Sequence, residues 1–206
     1  MKLSSPNGIA LKWTANVLLL LLGIVFVLPL VWVVLASFDG AATLSVGWPK
    51  EWTLENFHKV LTPELAFLPL WNSLLLSAGC AIATVVVAIL AAYPLSRYPT
   101  RFNRPFLYVI LFGTSLPITA MMVPVYSLFV SLSLIDSLGG TILFMAASSL
   151  PIAIWMTKNF VDSVPISLEE AAWVDGASSM KTLWTVVVPL VRPGIAVVFI
   201  YVFVAA

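Results

Sequence analysis

Residues 16–38 read NVLLLLLGIVFVLPLVWVVLASF. No charged side chain interrupts the run, and about 18 such residues are enough to suggest a helix that crosses a bilayer. Lys2 and Lys12 precede it, and "VLAS" has the look of a cleavage site, which raises the question of a signal peptide. The apolar stretch Val17–Ala36 is longer than the roughly 7–15 residues of a signal core. The reading adopted is an uncleaved first span.

Composition generalises this reading. The chain is 61% hydrophobic and only 9% charged, against roughly 25% charged in an average soluble domain. Four further apolar segments follow, at about 70–95, 106–130, 137–157 and 182–206. A backbone in lipid must satisfy its own hydrogen bonds, so all five segments are expected to be helices. The fold class is therefore all-α, a polytopic membrane protein in contact with lipid. Residues 1–15 form an N-terminal segment, 16–206 the membrane domain, and 158–181 a polar loop between spans four and five. After Arg192 only 14 residues remain, about 21 Å of helix. That is short of a roughly 30 Å hydrocarbon core, so a truncated chain with a sixth span missing is expected.

Several chemistries lose support at this level. A net charge of +1 gives no basis for nucleic-acid binding. Cys80 is the sole cysteine and His58 the sole histidine, so no metal site, disulfide or catalytic residue is assigned. Cys80, within an apolar run, reads as a small buried filler.

Orientation follows lysine and arginine rather than net charge. With a cytoplasmic N-terminus, Lys2, Lys12, Arg97, Arg101, Arg104, Lys158, Lys181 and Arg192 fall inside, and only Lys50 and Lys59 outside. The loop 158–181 is then cytoplasmic. In the outer loop, "EWTLENFHKVL" reads as a short helix capped by Thr53, with Trp52 stapled on Phe57. Leu54, Phe57 and Leu61 share a face, suited to the membrane surface or to an extracytoplasmic partner.

The loop 158–181 contains SLEEAAWVDGASS, Ser167 to Ser179. Ser167 and Glu170 fit a capping box, and Gly176 fits a helix end at positive φ. The resulting helix, Leu168 to about Asp175, is too short to be stable alone. Ala171 and Ala172 permit close approach, and Glu169, Glu170 and Asp175 can face basic groups. These features suit a helix that docks in a groove; an ordinary solvated loop helix has the same local signature.

The spacing adds to this. Glu170-Ala171-Ala172, three residues, Gly176, nine residues, then Val186-x-Val188-Pro189 resembles the EAA loop of ATP-binding-cassette (ABC) importer permeases, E-A-A-x3-G-x9-I-x-L-P, with valine for isoleucine and leucine. "WTLENF", "NSLLLS", "AAYPLSRY", "VPVYSLFVSLSLIDSLGGTIL" and "WMTKNFVDSVPISLEEAAWVDGAS" look like the carbohydrate branch, and within it the shorter second permease of the maltose importer. The resemblance implies a bacterial-type inner-membrane location and a coupling helix built on Glu169, Glu170, Ala171, Ala172, Asp175 and Gly176. It also implies a second permease, two ATPase subunits and an extracytoplasmic solute-binding protein. No G-x-x-x-x-G-K phosphate loop is present, so ATP and Mg are assigned to the ATPase subunits and no cofactor to this chain.

For the solute path, hydroxyl, amide and aromatic groups are needed. Asn72, Ser73, Thr114, Ser115, Thr119, Tyr126 and Ser148 are the candidates, although each also suits a local or interhelical hydrogen bond. Met121 and Met122 serve as packing or as a gate. Pro117 and Pro124 are candidate hinges. A non-sugar solute stays open, as does an ion-coupled secondary transporter, which usually carries ionisable groups inside its spans. A membrane enzyme would need clustered acids or histidines.

Overall fold

The computed structural model describes residues 6–41, 47–98, 100–115 and 117–206. Among these residues every regular element is helical, and one isolated antiparallel bridge joins Asp39 to Trp52. The chain divides into two compact units, one up to Leu70 and one from Trp71 onward.

In the first unit α1 spans Pro6–Ser37, and its stretch Lys12–Ser37 is long and apolar enough to cross a membrane. It begins upstream of the expected Asn16. Lys2, used for orientation, lies outside the described residues. None of its most apolar window is buried within the chain, as suits a helix that is hydrophobic all round and meets lipid or other helices.

Past α1 the chain reverses on a small hydrogen-bonded knot. The Thr53 N–H donates to the Phe38 carbonyl and the Gly40 N–H to that of Glu51, each at 2.8 Å. Asp39 Oδ1 accepts from the N–H groups of Glu51 and Ala41 at 3.1 Å. Asn56 Nδ2 donates to the carbonyls of Ser37 and Asp39. Thr53 Oγ1 accepts from the Glu55 N–H just before α2 (Glu55–Val60), but the N-cap is Leu54, one residue later than the expected Thr53. The Trp52–Phe57 staple is replaced. The bridge sets Trp52 beside the end of α1, and both rings converge on Phe38, at 6.3 and 5.2 Å.

A π-helical turn, Pro63–Phe67, capped by Thr62, leads into α3 (Leu68–Arg97). The apolar helix Pro63–Arg97 is longer than the expected 70–95. In the second unit α3 carries a buried stripe at helical spacing: Cys80, Thr84, Ala88 and Ala92, flanked by Ala81, Val85, Ile89 and Tyr93. These are mostly small, which lets helix backbones come close. Thr84 Oγ1 donates to the Ala146 carbonyl of α6 (Leu138–Asp162) at 3.5 Å. A Cβ at Gly79 would lie 2.7 Å from Ile142 Cδ1 on that helix. Cys80 is fully buried in the stripe.

The expected third span, 106–130, is not one helix. It divides into α4 (Asn103–Gly113) and α5 (Ile118–Ser131). Pro117 is the extended N-cap of α5, and a proline disfavours helical backbone in the residue before it. The fourth span is α6, running on to Asp162. The fifth, 182–206, is also broken. Ser179–Leu190, made of α8 (Ser179–Thr182), a π-helical turn (Leu183–Val187) and α9 (Val188–Leu190), meets α10 (Arg192–Ala205) at 80°. Pro193 supplies no N–H to the carbonyl of Pro189, so the ladder loses a bond beside the bend at Val191. By length and composition the described residues hold three spanning helices, or four if the bent pair counts as one, where five were expected.

Gly194, Val198 and Val202 form the buried ridge of α10, which packs on α6. A Cβ at Gly194 would overlap the ring of Phe160. Gly194→Ala is expected to destabilise the protein by about 1–3 kcal/mol through overpacking. A lower thermal midpoint in detergent checks this, and adding Phe160→Leu should return part of the loss.

The Glu51 N–H outweighs burial at Asp39 and, with the Ala41 N–H, holds this carboxyl below its ordinary value. Its contribution to the knot is present above an unfolded pKa of about 3.9 and is lost as pH falls through the lowered native value. Asp39→Asn should therefore speed amide exchange at Ala41 and Glu51 at neutral pH. In the parent chain the knot should persist until the pH drops below the ordinary carboxylate range.

Candidate functional site

Helix α7 spans Ile166–Val174. It starts two residues before the expected Leu168, and the capping box does not form. Pro165, at φ −59 and ψ 128, is the N-cap, so Ser167 is already inside the first turn. The C-terminus follows the sequence signal. Gly176 has φ +82; its N–H donates to the Trp173 carbonyl and the Ala177 N–H to that of Ala172, at 3.0 and 2.9 Å. This pair of bonds is a Schellman motif, and the left-handed residue at its centre is most easily glycine.

α7 packs on α8 and on the turn Leu183–Val187. Its two glutamates face opposite ways. Glu170, Ala171, Val174 and Asp175 are exposed, with Val174 at 88%, as is Gly176; Ala172 is half-buried. Glu169 is fully buried. Its expected role in facing a partner's basic groups gives way to one inside the chain, because its carboxylate is enclosed and bonded by its own chain.

Glu169 meets the end of α3. Arg97 Nε donates to Glu169 Oε1 at 2.6 Å, and Tyr93 Oη donates to Oε2 at 2.9 Å. The side chains of the ion pair are 7% and 0% exposed. The rest of the guanidinium is engaged too. Nη2 donates to the Val161 and Val164 carbonyls, each at 3.0 Å, and Nη1 to Ser96 Oγ at 3.3 Å. Those carbonyls lie at the C-terminal end of α6, where the helix dipole favours a cation, while Glu169 sits in the first turn of α7, where an anion is favoured. Ser96 Oγ donates to Asp162 Oδ1 at 2.5 Å, and Lys158 Nζ to Asp162 Oδ2 at 2.6 Å. One polar chain thus joins α3, α6 and α7. From sequence, Arg97 and Lys158 count toward orientation, and all three residues fall in segments that resemble the family, but nothing there assigns any of them to a contact with Glu169. The one hint is an arginine closing an apolar run upstream of a doubled glutamate.

The solute-path candidates are all exposed along the chain. Asn72, with Asp136 and Thr141, lines a hollow of about 270 Å³. Asp136 and Thr141 also border one of about 600 Å³ that includes Tyr126, Met121, Met122 and Phe144. Met121 and Phe144 continue into a third, about 430 Å³, with Thr114 and Ser148. Ser73, Ser115 and Thr119 line none of the three. The Thr114 and Ser148 hydroxyls bond the carbonyls of Leu111 and Phe144 in their own turns, the local role these residue types often take. Pro117 stands at the α4–α5 break, and Pro124 lies within the continuous helix α5.

Residues 84–206 match the family described as binding-protein-dependent transport system inner membrane component. The chain belongs to this family. The sulfoquinovosyl glycerol transport system permease protein SmoH of Agrobacterium fabrum is 30% identical over 204 residues, 97% of this chain and 70% of the relative. The trehalose/maltose transport system permease protein MalG of Thermococcus litoralis is 28% identical over 193 residues, 91% of this chain and 69% of the relative. The fold is shared with a bacterial ABC transporter involved in the import of the acidic polysaccharide alginate. The TM-score is 0.83 at 22% identity, over 100% of this chain and 73% of that one. Within this ABC permease, the family-matched region begins inside α3 and holds the whole Arg97–Glu169 cluster.

Removing one member of a buried ion pair leaves the other charge unpaired, at about 3–5 kcal/mol. Glu169→Ala should lower the thermal midpoint of the solubilised permease accordingly. Glu170→Ala, at an exposed site, should stay within about 0.5 kcal/mol.

Proposed function

We propose that this permease passes a sugar or sugar-like solute through the cytoplasmic membrane. It does so together with a second permease, an extracytoplasmic solute-binding protein and two ATPase subunits that bind ATP and Mg. The reading rests chiefly on α7, a short helix with an outward ridge of Glu170, Ala171 and Val174 that is exposed among the described residues. Glu170 makes a charged contact with the ATPase, and the small side chain of Ala171 and the turn at Gly176 allow close seating. The sugar class is supported by the similar permeases of sulfoquinovosyl glycerol and trehalose/maltose transport systems. The N-terminus and α7 lie on the cytoplasmic side, as the lysine and arginine distribution suggests.

An ion-coupled transporter is less well supported. Arg97, Lys158, Asp162 and Glu169 gather at helix ends, whereas ion coupling places such groups inside spans.

Glu170→Lys should abolish ATP-coupled uptake with membrane insertion intact; normal uptake by this variant would sink the docking assignment. Deletion of residues 168–176 should end co-purification with the ATPase subunit. Uptake assays with the cognate binding protein identify the solute.

A further inference from the structure

We propose that Arg97 is a positioning residue that makes α7 move as one body with the adjoining ends of α3 and α6. The proposal rests on the docking reading of α7 and assigns the neighbouring glutamates separate tasks: Glu170 faces the partner, and Glu169 locks the helix to its own chain.

Four observations converge. Only Ser163, Val164 and Pro165 separate α6 from α7, and proline fixes one backbone angle of that link. Arg97 grips both sides of the link at once, through the Val161 and Val164 carbonyls and through Glu169. Glu169 is held at two points on α3, Arg97 and Tyr93, four residues apart. That is about one turn, roughly 6 Å along the axis, so the attachment sets the direction of α7 as well as its position. Finally, the Tyr98 hydroxyl lies 3.4 Å from Ser179 Oγ on α8, a further link from the end of α3 to the segment after α7.

The chemistry requires arginine. A planar fork reaches a carboxylate and two carbonyls together, which a single ammonium cannot. Buried and paired, these bonds gain strength from the low local dielectric. A hinge at the α6–α7 link would have to strip a charge of its partner in an apolar setting. A push on the outward ridge therefore reaches α3 and α6 instead of swivelling α7.

The test is a spin-label distance between α7 and α3. Leu168→Cys and Leu90→Cys, in a Cys80→Ala background, carry the labels on the permease assembled with its ATPase subunits in lipid nanodiscs. Distances are read without nucleotide and with a non-hydrolysable ATP analogue. One narrow distance that does not shift with nucleotide is expected, and loss of that narrow peak in both Glu169→Gln and Arg97→Lys. A nucleotide-dependent shift in the parent, or a peak that stays narrow in both variants, overturns the proposal. If those variants fail to reach the membrane, Tyr93→Phe, which keeps the ion pair, decides: broadening supports the lock and an unchanged peak overturns it. If the ATPase does not co-purify with the parent, the docking reading fails by itself. The same comparison on the permease alone, narrow in the parent and broad in the variants, still reads the lock.

Discussion

A buried guanidinium must find a partner for its charge and for each of its donors, and that requirement organises the end of this molecule where three helices meet. Arg97 engages four of its five donors, with one carboxylate, two helix-end carbonyls and a hydroxyl. Apart from the neighbouring Ser96, these partners come from two distant parts of the chain, the end of α6 and the first turn of α7. Satisfying one side chain thereby ties the end of α6 to the first turn of α7 and holds Glu169 inward. An ion pair of this kind adds little net stability over apolar packing of the same volume, but removing one partner is severe. Its value lies in specifying one arrangement, and a helix of two to three turns has little else to specify it.

Elsewhere in the second unit the same end is reached by small residues. Gly79, Cys80, Thr84 and Ala88 on α3 and Gly194 on α10 permit approaches that larger side chains would block. Between helices in lipid there is no hydrophobic drive, so close packing and a few interhelical hydrogen bonds such as Thr84 to Ala146 must supply the attraction. The molecule thus has a dry, small-residue seam along its apolar helices and a dense polar lock at one end. These suit different tasks, one holding helices side by side and the other fixing the angle of an element outside them. The hollows around Tyr126, Met121 and Phe144 lie on neither.

Much of this was legible in advance. The apolar runs gave the helices, because a lipid-embedded chain has no other way to satisfy its backbone. Gly176 ended α7 where a left-handed residue was needed. What misled was local chemistry with a competitor nearby. Ser167 and Glu170 match a capping box, but Pro165 already starts the helix. Residues 106–130 and 182–206 read as continuous by hydropathy, yet Pro117 and Pro193 break the ladder, since hydropathy counts apolar area and ignores backbone donors.

By itself, then, the sequence determined which segments are apolar, the glycine that ends α7, and the spacing by which the family is recognised. These depend on composition and on neighbours within a few residues. Only the tertiary structure decided that Glu169 and not Glu170 is buried, and that its partners are Arg97 and Tyr93, more than 70 residues away. A doubled glutamate carries no information about which side chain faces inward. That depends on where α7 starts, how it is turned, and which distant charge has no water left to face.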